Sequence, residues 1–396
     1  MTVNSRSTWL FVDAIPHFGG HEVMLLRWLE ELLNDPHVLP RLLARDGGRL
    51  FESAPARTRV TPFQAERNSG SLRALRNLWH AWRALRRTLQ DEQPECVVFA
   101  SGALGYQMVL VALARLHGAR VLVYVPLLDT FASMGYRFGA IKDVFVRWFY
   151  GRVPHGWVTI SAGQAAHFVA WARPSGPVFV LPNAVARSIE TAGRLVPREL
   201  NHPDRLRVLV LGRLDAHQKG LDLLVDHLQS AKPEVQDRLV VCVTGEGPYR
   251  ESIEARLRGD PALARCLELG AWMPAQQAMA ANDVLLLPSR FEGVPLVMLE
   301  AMALGLPVVA SDLPGIRAYV PRECLFDVGD LARALQILQW LADAGVRQRL
   351  ADSGRAVFEA TASGRAFSES VSALTRDIAA HFGQSPCHLP INEARR

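Results

Sequence analysis

The chain has 396 residues, too many for a single hydrophobic core, which stops growing at roughly 250 to 300 residues, so two domains are expected. With 49% hydrophobic and 21% charged residues it is no disordered polymer, and its longest run free of charge and histidine, 96–114, is interrupted by Ser101, Gly102, Gly105 and Gln107, which argues against a bilayer span. The net charge of +5 is uneven: residues 1–200 carry 23 Lys+Arg against 15 Asp+Glu (+8), and the rest carry 21 against 24 (−3).

In chain order, the start MTVNSRSTWLFVDAIPHF shows no basic leader, apolar stretch and small-residue cleavage site, which predicts a cytoplasmic protein. Apolar runs then alternate with helical-period segments, the pattern of parallel strands with crossover helices. Strands are predicted at 9–12, 41–44, 97–100, 121–125, 157–160 and 178–181. A polar stretch at 186–205 follows, and the alternation restarts at 208–211, 239–243, 266–269, 284–287 and 308–310. The fold class is therefore α/β, two doubly wound Rossmann-like domains expected to face each other across a cleft, the usual place for a ligand in such folds. The domains are predicted at 1–190 and 203–365, with a C-terminal helix at 366–383 packing back on the first domain and a frayed tail at 384–396. Five cysteines (Cys96, Cys242, Cys266, Cys324 and Cys387) lack metal-ligand or C-x-x-C spacing, so neither a disulfide framework nor a zinc site is expected.

The stretch 288–305, PSRFEGVPLVMLEAMALG, carries the most chemistry. It follows a strand, and Pro295 suits the first turn of a helix. From Val294 to Leu304 that helix is apolar on every side except at Glu300, and a helix apolar all round is buried. A buried carboxylate without a hydrogen-bonding partner is costly, so an arginine of the fold or a pair of ligand hydroxyls must meet it. The unpaired N–H groups of Val294, Leu296 and Val297 at the helix start form an anion site. Glu300 lies about 7.5 Å further along the axis than Pro295, roughly the span from a nucleotide's diphosphate to its ribose. Glu292 would then face whatever the diphosphate carries; its alternative is a solvated loop residue.

A second cationic site is expected at GRLDAHQKG, 212–220, where Gly212 and Arg213 end a strand and Lys219 precedes an amphipathic helix. A lysine at a helix N-terminus opposes the dipole unless an anion sits nearby, and arginine adds a fork to the point charge. Solvated surface cations are the alternative. Gly19 and Gly20, after the first strand, allow a ligand close to the backbone, or mark a plain turn. The turn Gly245-Glu-Gly-Pro248 has Arg250 where a dinucleotide fingerprint has its third glycine, which argues against an NAD enzyme. No two aspartates stand two residues apart, so no metal and no other cofactor is expected.

These residues carry a resemblance. GRLDAHQKG, TGEGP and FEGVPLVMLEAMALGLPVVAS resemble the strand-end Arg/Lys motif, the Gly-rich turn and the E-x7-E signature of retaining GT-B glycosyltransferases of family four. GGHE (19–22), VTIS (158–161) and LPNAV (181–185) are similar to that family's N-terminal motifs. The resemblance implies a metal-independent, retaining hexosyltransferase using a nucleotide diphosphate sugar, working on a saccharide or lipid-linked saccharide in cell-surface polysaccharide or glycoconjugate synthesis. It implies that Glu300 binds the ribose, that Glu292 and the backbone of Gly293, Val294 and Leu296 bind sugar and diphosphate, and that Arg213 and Lys219 bind the leaving diphosphate. The sequence departs from the family in three places: Arg213 and Lys219 stand six apart, one more than the motif, Ala184 replaces a glycine, and Asp129 is the nearest polar substitute for a histidine that many members place beside the reacting sugar.

The rival readings are a nucleotide-sugar epimerase of the same architecture and a nonenzymatic protein of membrane surfaces. Nucleic acid is not an expected partner, because interleaved stacking aromatics and a recognised module are both missing. For an anionic membrane surface, the sequence offers Leu72, Leu75, Trp79, Trp82, Leu85 and Leu89 at helical spacing among arginines, with no acidic residue from 69 to 90, and a second basic stretch at 137–152 with Phe145, Trp148 and Phe149. The same leucines would equally suit a crossover helix packed on the sheet. Location at the inner face of the plasma membrane follows if the membrane reading holds.

Overall fold

Thirteen strands form two sheets in the computed structural model, which describes residues 6–14, 19–66, 71–101, 107–128, 130–195 and 205–382. The first sheet contains β1 (Ser7–Asp13), β2 (Val38–Arg45), β3 (Arg59–Phe63), β4 (Cys96–Ala100), β5 (Val121–Tyr124), β6 (Gly156–Thr159) and β7 (Val178–Val180), ordered β3-β2-β1-β4-β5-β6-β7. Every pairing is parallel, with Leu10 opposite Arg41 on one side and Val97 on the other. β4, β5 and β6 are buried along their whole length, as expected when helices cover both faces. Phe11, Trp28 and Tyr124 pack edge to face on one another, with centroids 5.0 and 6.1 Å apart. Each ring of that kind contributes roughly 1.5–3 kcal/mol through burial.

The second sheet contains β8 (Leu206–Leu211), β9 (Leu239–Thr244), β10 (Leu267–Gly270), β11 (Val284–Leu287), β12 (Val308–Ser311) and β13 (Leu325–Phe326), ordered β10-β9-β8-β11-β12-β13 and again all parallel. In each sheet the chain winds outward one way, then returns to the middle and winds the other way. The reversal lies between β1 and β4 in the first sheet and between β8 and β11 in the second. Strand C-termini on either side of such a reversal leave a crevice for a ligand.

The chain divides into two units, Asn183–Ala366 and the remainder, which runs to Pro182 and resumes at Phe367. Residues after Asn183 stay with the second unit because the short helix Arg187–Thr191 is held there. Its Glu190 accepts from the Gly364 N–H, and the Leu195 N–H donates to Leu304 O at 2.9 Å. The last helix, Gly364–Phe382, joins the first unit through Phe367, which lies under the Arg27 guanidinium at 5.7 Å, and Phe382, whose carbonyl accepts from Arg120.

Two strands, β3 and β13, lie outside the pattern of apolar runs. β3 (RVTPF) carries Pro62 and is half exposed, which is tolerable only at a sheet edge where a missing N–H is not needed. β13 has two residues, too few to show a period. The cysteines among the described residues (Cys96, Cys242, Cys266 and Cys324) are free and buried.

Candidate functional site

At the reversal in the second sheet, the loops after β8 and β9 interlock through glycine. A Cβ on Gly245 would fall 1.8 Å from Gly212 O, and both residues have φ near +148°, a conformation that only glycine adopts without strain. The Leu214 N–H donates to Glu246 O at 2.8 Å and its carbonyl accepts from Tyr249 N–H at 3.0 Å. The loop after β8 is thereby fixed, and it presents Arg213 to solvent. The Arg213 guanidinium, 60% exposed, donates to Gln218 Oε1 at 2.8 Å and lies 3.5 Å from Asp215.

Lys219 is placed differently from the sequence expectation. It ends a separate helical turn, Ala216–Lys219, which Asp215 caps by accepting from the Gln218 N–H at 2.9 Å. Gly220 then adopts a left-handed conformation and the helix Leu221–Ser230 begins. Lys219 therefore stands at a helix C-terminus, where a cation is favoured, as well as just before a helix N-terminus. Its Nζ lies 2.5 Å from Glu292 Oε1, which also accepts from Ser289 Oγ at 3.0 Å. The pair is half-buried, and the pocket beside it is lined by Gly212, Arg213, Lys219, Pro288 and Ser289. The sequence brings Arg213 and Lys219 to one strand end as expected. It gave no sign that Lys219 and Glu292 would face each other.

The helix after β11 spans Leu296–Leu304, with Pro295 as its N-cap instead of inside the first turn. Among the described residues no acceptor is found for the N–H groups of Gly293, Val294 and Leu296; for Leu296, the first residue of the helix, this follows from helix geometry. The preceding loop is tightly held. A Cβ on Gly315 would fall 1.6 Å from Gly293 O, and the buried Asn183 donates through Nδ2 to Val294 O at 2.8 Å. On the helix, Glu300 is half-buried and has no protein partner among the described residues. Burial alone pushes its pKa up to about 7. Among the described residues no arginine meets it.

At the reversal in the first sheet, Gly19 caps the helix Gly20–Leu32 with extended backbone (φ −157°), and its N–H donates to Glu22 Oε2 at 2.6 Å. That backbone suits any residue, so conformation alone does not call for a glycine at 19. His21 lies between two buried carboxylates, Nδ1 at 3.0 Å from Glu22 and Nε2 at 3.5 Å from Asp13. Burial works to lower its pKa, but the hydrogen bonds and charges of Asp13 and Glu22 outweigh burial and raise it to about 9. Asp13, His21 and Glu22 bring donor atoms within 4.8 Å of one another, close enough for a cation. However, the carboxylates engage opposite ring nitrogens, and one ion could take only one of these, so the arrangement suits a proton better. Asp129 lies outside the described residues.

Residues 205–343 match the family model described as Glycosyl transferases group 1, and residues 19–184 match the one described as Glycosyl transferase 4-like domain. The chain belongs to the GT-B glycosyltransferases of the family-four type. Among curated relatives, the chain is 34% identical over 145 residues to the sulfoquinovosyl transferase of Arabidopsis thaliana, covering 35% of this chain and 27% of that protein. It is 28% identical over 123 residues to the UDP-Gal:alpha-D-GlcNAc-diphosphoundecaprenol alpha-1,3-galactosyltransferase of Escherichia coli, covering 29% and 32%. The matches thus span about a third or less of those relatives. Two solved structures share the fold along nearly the whole chain. Sucrose-phosphate synthase from Thermosynechococcus elongatus has a TM-score of 0.73 at 17% identity, covering 95% of this chain and 100% of that one. Anabaena HepE in complex with UDP-glucose has a TM-score of 0.72 at 14% identity, covering 94% and 100%.

Four residues around the second-unit site carry no role in the sequence reading: Asn183, Asp222, Ser289 and Arg290. Asn183, Asp222 and Arg290 act through partners distant in the chain, which no local pattern records, and Ser289 acts through Glu292 three residues on.

Proposed function

We propose that the chain transfers a hexose-type sugar from a nucleotide diphosphate sugar to a saccharide acceptor, with retention and without a metal, in cell-surface polysaccharide or glycoconjugate synthesis. The observation that carries this reading is Glu300: a carboxylate in an otherwise apolar helix, without a protein partner among the described residues, about one helical turn beyond the N–H of Leu296. Ribose hydroxyls would supply the missing donors. The diphosphate would take the amides of Gly293, Val294 and Leu296 together with Arg213 and Lys219, and Glu292 would face the sugar. As the glycosidic bond breaks, negative charge concentrates on the leaving diphosphate. Donors and cations already in place stabilise that charge more than they stabilise the ground state. Because Arg213 and Lys219 supply the charge, turnover should persist in excess EDTA; loss on chelation, restored by Mg²⁺ or Mn²⁺, contradicts this part. Retention is what the family resemblance implies, and the anomeric proton of the product, read by NMR, checks it.

A lipid-linked form of the acceptor is supported by the surface of the first unit. Tyr136, Phe138, Ile141, Val144, Phe145 and Trp148 are all exposed on or beside the helix Gly139–Arg152, whose only acidic residue, Asp143, is turned inward onto the Phe131 and Ala132 N–H groups. The E. coli relative is itself named for an acceptor carried on diphosphoundecaprenol. The deciding experiment is thermal unfolding with UDP, GDP and ADP. One of them should raise the melting temperature of the wild type and leave Glu300→Ala unmoved; no shift with any of the three sinks the donor site.

A further inference from the structure

The loop before the helix Leu296–Leu304 contains a residue whose hydrogen bonds run to the segment that follows β8. The Arg290 N–H donates to Gln218 O at 2.9 Å. Its Nη1 donates to Ala216 O at 2.9 Å, to His217 O at 3.1 Å and to Asp222 Oδ1 at 2.7 Å, and its Nη2 donates to Asp222 Oδ2 at 2.7 Å. The two parallel bonds to Asp222 make a fork-to-fork pair, the strongest and most directional ion-pair geometry proteins use. The other contacts fall on the Ala216 and His217 carbonyls of the turn Ala216–Lys219. One guanidinium thus binds the turn that ends in Lys219 and the first turn of the helix that follows it.

Arg290 is also two residues from Glu292 and adjacent to Ser289, which donates to Glu292. Beside it, Gly220 passes so close to Pro288 that a Cβ would fall 2.1 Å from the Pro288 carbonyl, so the two backbones already touch there. The backbone contact fixes one point, and the Arg290–Asp222 fork fixes a second. Two fixed points are needed to set an orientation as well as a distance.

We propose that Arg290, paired with Asp222, is a positioning residue that holds Lys219 at its working distance from Glu292 and from the diphosphate the site would receive. This rests on reading the ends of β8 and β11 as the donor site. Arg290 touches neither reacting atom nor diphosphate in this scheme; it acts through Lys219.

The test uses the full chain with two readouts, one independent of turnover. The sequence holds only three lysines, Lys142, Lys219 and Lys232, so protein labelled with ¹³Cε-lysine gives three resolvable signals, and the Lys219 signal is assigned by its loss in Lys219→Arg. Arg290→Gln should shift or broaden that signal and leave the other two in place, whether or not a donor has been found. With the donor, Arg290→Gln should lower kcat by about tenfold or more, since small misplacements at a reacting centre are costly, while KM moves less. In a Lys219→Ala background the same substitution should cost at most about twofold, because residues acting as a unit are non-additive. Arg290→Lys keeps the charge and loses the fork; it should show the same pattern more weakly and guards against a variant that does not fold. An unmoved Lys219 signal in both variants, or an equal loss of kcat with and without Lys219, overturns the proposal. A moved signal in a protein that transfers no sugar leaves the positioning intact and sinks the transferase reading instead.

Discussion

Lys219 and Glu292, 73 residues apart in the chain, meet at 2.5 Å between the ends of β8 and β11, each neutralising the charge that would make the other useful to a ligand. An arriving diphosphate would compete with Glu292 for the charge of Lys219, and the sugar it carries would meet a carboxylate less engaged with that cation. Glu292→Gln should therefore separate two effects. A bare nucleoside diphosphate should bind about threefold to tenfold tighter, because Lys219 is no longer paired, whereas transfer should fall by about 10², as on removal of one group that stabilises developing charge. Calorimetry and steady-state kinetics measure the two. Parallel losses in binding and turnover would mean that the pair is not a competitor of the diphosphate.

Glu300 makes the donor site sensitive to pH. Its folded pKa of about 7 lies above the ordinary carboxylate value because burial disfavours the charge. Between pH 4.5 and 7 the folded state holds the proton more tightly than the unfolded chain, so this group's contribution to stability falls as pH rises across that window, by a few kcal/mol at most. Binding has the opposite sign, since ribose hydroxyls need an ionised acceptor. Affinity for a nucleotide diphosphate sugar should rise with pH up to about 7 and level off above it. Glu300→Gln should flatten both trends. Calorimetric titrations from pH 5.5 to 8 decide, and a wild-type affinity independent of pH would show that Glu300 does not receive the ligand.

The sequence was most informative where local chemistry is sufficient. Apolar runs such as CVVFA and VLLL are buried on both faces and read as central parallel strands. Glu300 stood out because every neighbour on its helix is apolar. Edge elements were harder to read, since half exposure dilutes the pattern of β3 and β13 has no length to show one. Polar partnerships were not legible at all. That Lys219 ends one helical turn and meets Glu292, or that Arg290 reaches Asp222, follows from β8 and β11 lying side by side, a fact of strand order that no segment of either partner contains.

The proton on His21 is a structural element of the first unit. Below pH 6.5 the imidazole is charged in both folded and unfolded chains, and its contribution is complete. Between 6.5 and about 9 the unfolded chain gives up the proton while Asp13 and Glu22 hold it in the folded state, so stability declines as pH rises through that window, by about 3 kcal/mol at this site. His21→Asn leaves two buried carboxylates without their cation. At pH 7 it should lower the melting temperature by roughly 5 °C or more, and it should remove most of the decline between pH 7 and 9. Thermal unfolding at half-unit pH steps reads both. If the variant keeps the wild-type slope, the proton resides elsewhere.

The membrane proposal divides the long basic helix in two. In Ser71–Glu92, Leu85 is fully buried and Leu78, Trp82 and Leu89 pack on the core of the first unit, so the second half is an ordinary crossover helix. In the first half Leu72 is 80% exposed and Leu75 and Trp79 stand out with it, with Arg83 over the Trp79 ring at 5.2 Å. Part of its charge is already compensated, because Glu66 pairs with Arg73 and Arg76. The helix Gly139–Arg152 is the stronger candidate. Its exposed face carries Ile141 at 71% and Phe145 and Trp148 at 59%, alongside Lys142 and Arg147, and its one acid faces inward. Apolar side chains ringed by cations are what an anionic lipid surface receives. The protein should sediment with anionic vesicles and not with neutral ones at low salt, and detach as salt screens the attraction. Phe145→Glu combined with Trp148→Glu should weaken that partitioning by about tenfold or more, while Leu72→Glu should weaken it less. Equal partitioning to both kinds of vesicle, or to neither, would return this face to plain surface and make a soluble saccharide the better acceptor.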